Sequence, residues 1–190
     1  MGKRWEIILS GIGGQGLGLG GRILAEAGGI DRGLYVAQTQ SYGARARGGY
    51  SQSSVIISEE EILYPLVQEP NLLLALGQRG YQYYAAKTKN NGLVIFDEET
   101  VQPDLSLPVQ QIGLPMVATA RKINHERGVT ILALGAISLL TSVADSLSLQ
   151  KVLERHFRRQ AVSLNVLAFK EGMRIAYAYS TAQQVELPLL

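Results

Sequence analysis

Short apolar runs alternate with helix-spaced apolar positions along the first two thirds of this 190-residue chain, and helical spacing fills the last third. Ile7, Ile8 and Leu9 form the first run, and Ile23, Leu24, Ala27 and Ile30 follow at helical intervals. Residues 34–37 predict a second strand, and residues 38–49 a polar loop. Over residues 50–58 the period becomes two. Gln52, Ser54 and Ile56 share one face and Ser51, Ser53, Val55 and Ile57 the other, as in a strand running from a ligand-facing loop into the core. Residues 62–64 predict a short partner for it, in a hairpin closed by Pro65.

Residues 72–77 and 93–97 are continuous apolar runs, the pattern of strands covered on both faces. Between them the pattern predicts a helix over residues 78–90, rich in tyrosine at Tyr81, Tyr83 and Tyr84. A further short strand is expected at 109–112, and a helix at 116–124 opened by Pro115. Three more helices are expected at 131–143, 149–159 and 164–179, with residues 145–148 as a polar joint. Strand-helix units followed by a run of helices predict an α/β fold. The expected form is a three-layer α/β/α sandwich on a mostly parallel, mixed sheet, in a single domain over residues 1–190.

The first run opens directly into glycine. Seven glycines lie between Gly11 and Gly21, and Gly11, Gly13 and Gly16 fit G-x-G-x-x-G between a strand and a helix. Glycine permits a tight turn and close approach to the backbone, so its amides and those of the following helix can face an anion. The same glycines would also serve close helix-to-sheet packing. A dinucleotide site needs an acid at the end of the second strand. There the chain carries Gln38, Thr39 and Gln40, while Asp31 precedes Gly33 at the helix end, on the opposite edge of the sheet. NAD binding of that type is disfavoured; a phosphate or diphosphate ligand is not.

The second informative stretch is Ser41-Tyr42-Gly43-Ala44-Arg45-Ala46-Arg47-Gly48-Gly49. Guanidinium groups beside glycine backbone suit carboxylate or phosphate recognition. Chain order puts this loop on the same edge as the glycine turn, which predicts one shared crevice; a solvated loop with idle arginines is the alternative. Asp97, at a strand end, reads as a cap for the turn after it. His125, between Asn124 and Glu126, reads as an exposed helix-end residue.

Composition narrows the chemistry. Cysteine is absent, which removes disulfides, thiolate catalysis and ligands for an iron-sulfur cluster. The two histidines, His125 and His156, are too few and too separated for a usual metal site, and Ser10, Ser41 and Ser51 have no histidine partner oriented by an acid. A net charge of +2 with scattered Lys and Arg does not mark a nucleic-acid face. No apolar stretch reaches the ~20 residues of a membrane span, so a cytoplasmic protein without membrane partners is expected. Redox chemistry would need a cofactor held elsewhere.

The two loops and their surroundings resemble the gamma subunit of the 2-oxoacid:ferredoxin oxidoreductases, equivalently the gamma-type domain of single-chain pyruvate:ferredoxin oxidoreductases. The matching segments are Gly11-Ile12-Gly13-Gly14-Gln15-Gly16 with Ile23-Leu24-Ala25, then Ser41-Tyr42-Gly43 and Arg47-Gly48-Gly49. They continue through Val55 to Ser58, Ile62 to Pro65, the strands at 72–76 and 93–97, Leu134-Gly135, Asn165, Ala168-Phe169 and Gly172. Two positions depart from the family pattern. Thr130 stands where Asn is frequent, and Arg45 where an acid is common.

The resemblance implies a subunit, inactive alone, of a thiamine-diphosphate-dependent oxidoreductase. Such an enzyme converts a 2-oxoacid and coenzyme A to acyl-CoA, carbon dioxide and reduced ferredoxin. The Ser-Tyr-Gly and Ile62 to Pro65 segments favour the 2-oxoglutarate and 2-ketoisovalerate types. It further implies alpha and beta partners, with or without a ferredoxin-like delta subunit. These would carry thiamine diphosphate, Mg2+ and iron-sulfur clusters, none of which this chain would bind alone. The expected ligand-binding residues are Gly11, Gly13, Gly14, Gln15 and Gly16, with Ser41, Tyr42, Gly43, Arg47, Gly48 and Gly49. No catalytic residue and no metal ligand is assigned. The alternatives are a freestanding reductase module binding NAD or flavin, and a non-catalytic scaffold.

Overall fold

The computed structural model describes residues 2–42, 49–158 and 160–189. Its centre is a six-stranded sheet of β1 (Arg4–Ile12), β2 (Tyr35–Tyr42), β3 (Tyr50–Ser58), β4 (Leu72–Ala75), β5 (Leu93–Asp97) and β6 (Gln110–Leu114), in the order β2-β3-β1-β4-β5-β6. β1, β4, β5 and β6 are successively parallel, whereas β3 pairs antiparallel with both β1 and β2. The sheet is therefore mixed, with β3 alone reversed.

Alternation along the strands divides the core into two faces. Ile7, Leu9, Val55, Ile57, Leu72, Leu74, Leu93 and Ile95 point to one face. That face is covered by α1 (Leu17–Gly28), α3 (Met116–Lys122), α4 (Val129–Leu140), α5 (Ser146–His156) and α6 (Gln160–Gln183). Ile8, Leu73, Ala75, Val94 and Phe96 point to the other, which is covered by α2 (Gln78–Tyr84), the 3-10 turn Ala85–Lys87 and the segment around Val101. Three layers result, as expected, but the second helical layer is thin.

α4 is buried along nearly its whole length, which explains its lack of a polar stripe. It crosses α6 at unusually close range. A Cβ on Gly135 would overlap the Phe169 carbonyl, and one on Gly172 would overlap the Leu132 carbonyl. α5 begins where Asp145 Oδ1 accepts from Ser148 N–H at 2.9 Å, the cap that the polar joint supplies.

Several boundaries differ from the sequence reading. β2 runs on to Tyr42, so Gln38 to Tyr42 lie in a strand and not in a loop. Pairing with β3 extends it, from Tyr35 opposite Ser58 to Tyr42 opposite Ser51. Gln38 also donates to Gly18 O at 2.8 Å and to Ser53 Oγ at 3.1 Å, which ties the polar strand end to α1. Residues 62–64 form no strand, because β3 is already paired along both edges by β1 and β2. α2 ends at Tyr84, where Thr88 Oγ1 donates to the Tyr84 carbonyl and the backbone tightens into the 3-10 turn. α4 starts at Val129 and α6 spans Gln160–Gln183, both beyond the expected limits.

Candidate functional site

From the end of β1 the chain turns into α1 on one face and continues to β2 on one side of the sheet. From the end of β4 it turns into α2 on the opposite face and continues to β5 on the other side. The carboxyl ends of β1 and β4 are thus the point where the direction of winding reverses, which opens a crevice in sheets of this kind.

The glycine turn follows β1 at this edge, and of it Gly11 and Ile12 line the cavity found there. Gly13 N–H donates to Gly49 O at 2.8 Å, and Gln15 N–H to Ile12 O at 3.2 Å. Gly14 and Gly16 have φ of 105° and 79°, left-handed backbone that side chains other than glycine strain to adopt. Gln15 braces the turn: its Oε1 accepts from Ile12 N–H at 2.8 Å, and its carbonyl accepts from Thr130 Oγ1 at 2.6 Å. Thr130 departs from the family pattern yet supplies a donor to the turn. At the start of α1, Gly16 provides no side-chain cap and the first turn carries no acid. The unbonded amides of a helix start then favour an anion.

Of the second loop, Ser41 and Tyr42 end β2 and Gly49 precedes β3, while Gly43, Arg47 and Gly48 lie outside the described residues. Both ends of the loop are at the rim with the glycine turn. The Tyr42–Ser51 and Gly11–Ser51 pairings and the Gly13–Gly49 hydrogen bond fix them there. The described ends of the second loop, Tyr42 and Gly49, thus lie beside the glycine turn.

A cavity of about 430 Å3 opens at this rim between Gly11, Ile12, Gly49 and Tyr50 on one side and Gly77 and Arg79 on the other. Thr100 also lines it, and its hydroxyl is buried without a hydrogen-bond partner among the described residues. A second cavity, about 510 Å3, adjoins it through the shared Tyr50 and Arg79 and is lined by Ser41, Gln52, Tyr83 and Tyr84. Tyr50 and Tyr84 both donate to Gln52 Oε1, at 2.7 and 2.8 Å, and Gln52 Nε2 donates to Ser54 Oγ at 3.0 Å. Burial is the main cause that pushes both phenols above the ordinary tyrosine range. They are neutral donors at physiological pH.

Arg79, Tyr50, Gln52 and Thr100 were not singled out by sequence as site residues, and Thr130 only as a departure from the family pattern. For Arg79 the signal was available: Gln78-Arg79-Gly80 directly follows the apolar run of β4, on the same edge as the glycine turn. Asp97 is buried and caps as expected, accepting from Glu99 and Thr100 N–H at 3.2 and 3.0 Å. It also accepts from Val117 N–H at 2.8 Å and so ties β5 to α3. His125 does stand at a helix end, just ahead of the 3-10 turn Glu126–Gly128, but it is not exposed. It is half-buried, and its Nε2 lies 3.0 Å from Oδ1 of the buried Asn165. Asp31 pairs with Arg155, away from the rim, and β2 ends without a carboxylate.

Comparison with known proteins agrees with this geometry. The chain is 37% identical over 177 residues to the 2-oxoglutarate synthase subunit KorC of Methanocaldococcus jannaschii, covering 91% of this chain and 94% of the relative. The gamma subunit of a keto/oxoacid ferredoxin oxidoreductase from Geobacter sulfurreducens superposes with a TM-score of 0.82 at 36% identity, covering 93% of this chain and 98% of that one. The 2-oxoglutarate:ferredoxin oxidoreductase of Magnetococcus marinus, solved with 2-oxoglutarate, coenzyme A and succinyl-CoA, superposes with a TM-score of 0.81 at 26% identity. There the match covers 93% of this chain and 31% of the longer one. The pyruvate ferredoxin/flavodoxin oxidoreductase profile matches residues 6–175, and this chain belongs to that family.

Proposed function

We propose that this chain is the gamma subunit of a heteromeric 2-oxoacid:ferredoxin oxidoreductase, with 2-oxoglutarate as the oxoacid and coenzyme A as the acyl acceptor. The observation that carries this reading is the 2.8 Å hydrogen bond from Gly13 to Gly49, which joins the two glycine loops at one rim. Helix-start amides without a competing acid suit a phosphate, and coenzyme A is the phosphate-bearing reactant of the reaction. Arg79 lines the cavity that Gly11, Ile12 and Gly49 border, and adds a cation beside the turn. In this reading Gly11, Gly13, Gly14, Gln15 and Gly16 with Ser41, Tyr42, Gly43, Arg47, Gly48 and Gly49 hold the acceptor against its companions.

Thiamine diphosphate with Mg2+ supplies the decarboxylation chemistry in such complexes, and iron-sulfur clusters carry the electrons to ferredoxin. The donor set of this chain does not fit either. Cysteine is absent, and among the described residues no three His, Asp or Glu side chains converge. That chemistry therefore falls to the alpha and beta subunits and to a ferredoxin-like delta subunit where one is present. The gamma chain, acting as one domain over residues 1–190 in the cytoplasm, positions coenzyme A and excludes water. Among the described residues no helix is long and apolar enough to cross a membrane.

Co-expression with the neighbouring oxidoreductase genes tests the reading. The assembled complex should reduce ferredoxin in a reaction requiring both 2-oxoglutarate and coenzyme A, and omission of this chain should abolish it. A chain that elutes alone, or a complex that works equally well without it, refutes the assignment.

A further inference from the structure

Between β3 and β4 the chain runs along the amino edge of the sheet, opposite the glycine rim, because Ser58 pairs with Arg4 at the start of β1 and Leu72 pairs with Ile7. The length of β1 from Arg4 to Gly11 puts this stretch about 20 Å from the crevice. Both of its ends are fixed. Glu59 N–H donates to Lys3 O and Lys89 N–H to Pro70 O, each at 3.0 Å, and Asn71 Oδ1 accepts from Glu6 N–H at 2.7 Å. Ile62 and Val67 are half-buried, and Val67 packs against the apolar cluster of the second face. Between them Leu63, Tyr64 and Leu66 are 87%, 55% and 50% exposed, with the exposed Pro65 stiffening the ridge they form. None of the backbone N–H groups over residues 61–69 has a hydrogen-bond partner among the described residues. An apolar ridge held out into water in this way marks a contact with another protein.

Charge around the ridge defines its partner. Glu59, Glu60 and Glu61 precede it and Glu69 follows it; all four are exposed, and among the described residues none forms an ion pair. Glu59 and Glu60 accept only from the backbone N–H groups of Lys3 and Gly2, each at 2.8 Å, and so keep their charge. Arg4 and Lys89, in the groove of about 340 Å3 beside Tyr64 and Leu66, are already engaged by Glu6 at 3.0 and 2.9 Å. An apolar ridge with an acidic border fits an apolar pocket bordered by Lys or Arg. A second copy docking through the same patch would set acid against acid. We propose that residues 63–66 are where another subunit of the oxidoreductase grips this chain, through an apolar pocket with a basic rim. The assignment rests on the reading of this chain as a subunit, and it places docking and coenzyme A on opposite edges of the sheet.

Titration of the purified full-length chain into the complex of the remaining subunits tests it, with the Kd read by interferometry and the KM for coenzyme A read by ferredoxin reduction. Leu63→Ser combined with Leu66→Ser should raise the Kd about a hundredfold, the scale of two leucines left unburied, with no change in the Tm of the free chain. Glu61→Lys combined with Glu69→Lys should raise it about tenfold in about 0.1 M salt and less in about 0.5 M. Once excess chain drives assembly, both variants should show the wild-type KM for coenzyme A. An unaltered Kd for either variant overturns the proposal, as does a raised KM, which would put the ridge at the ligand. The charge reversal decides the matter even if the leucine variant fails to fold. If light scattering shows that the wild-type chain self-associates through the ridge while the leucine variant still binds the other subunits normally, a second copy occupies it and the proposal fails. A wild-type chain that binds no companion refutes the subunit reading itself; wild-type binding with unaltered variants refutes only the ridge.

Discussion

Two sets of glycines in this protein look alike in sequence and do opposite things. At the α4–α6 crossing, a methyl group on Gly135 or Gly172 would run into a backbone carbonyl of the facing helix. In the turn after β1, nothing among the described residues lies within 4 Å of the place a Gly14 Cβ would take, and the nearest atom to a Gly16 Cβ is the Arg127 carbonyl at 3.6 Å. The first pair is glycine because space is filled, the second because the backbone has positive φ beside open space. Filled space belongs to packing. Open space beside strained backbone and uncapped amides is where the proposed ligand would lie.

Substitutions should separate the two sets, most strongly at the crossing. Gly135→Ala should destabilise the protein by about 3 kcal/mol, the upper end for overpacking, because backbone obstructs the new methyl. A large fall in Tm would show it, and an unchanged Tm would mean that the helices are not so close. Gly14→Ala should cost less, about 1–2 kcal/mol, since only the left-handed backbone opposes it. Thr130→Val removes the donor to Gln15 O and should cost about 1 kcal/mol in stability, whereas Thr130→Ser should retain most of it. Equal melting of the Val and Ser variants would deny that hydroxyl a role in bracing the turn.

The smallest effect concerns pH. Burial raises the Tyr50 pKa above its ordinary value of 10.0, so the folded state prefers the neutral phenol. The associated stability is complete below pH 10.0 and is lost as pH rises above it, toward the higher folded value. Thermal melts from pH 8 to 11 should therefore decline less steeply for Tyr50→Phe than for wild type above about pH 10. Parallel decline would remove the phenol from the account.

Much of this layout was legible in the chain. Continuous apolar runs located β4 and β5, and chain order alone put the described ends of the second loop on the edge of the glycine turn. Other parts were hidden for physical reasons. The end of β2 is Gln-Thr-Gln-Ser, which has the composition of a loop, and only its pairing with β3 makes it a strand. Residues 62–64 were expected to pair with β3 because they are adjacent in sequence, yet β1, some forty residues earlier, holds that edge. The roles of Tyr50, Gln52 and Tyr84 depend on α2 lying over β3 on the second face, a fact of layer assignment that no local pattern records. His125 reaches Asn165 across forty residues, and for the same reason it read as a surface residue.

Gly16→Asp in the assembled oxidoreductase offers the most direct test of the central claim. The added carboxylate sits at the start of α1, where the helix dipole favours an acid and only the left-handed backbone of Gly16 opposes it. With coenzyme A phosphates held at this rim, the variant should assemble, with a Tm lowered by no more than that of Gly14→Ala, while its KM for coenzyme A rises at least tenfold and that for 2-oxoglutarate stays constant. A properly assembled Gly16→Asp enzyme with an unaltered KM for coenzyme A would contradict the account.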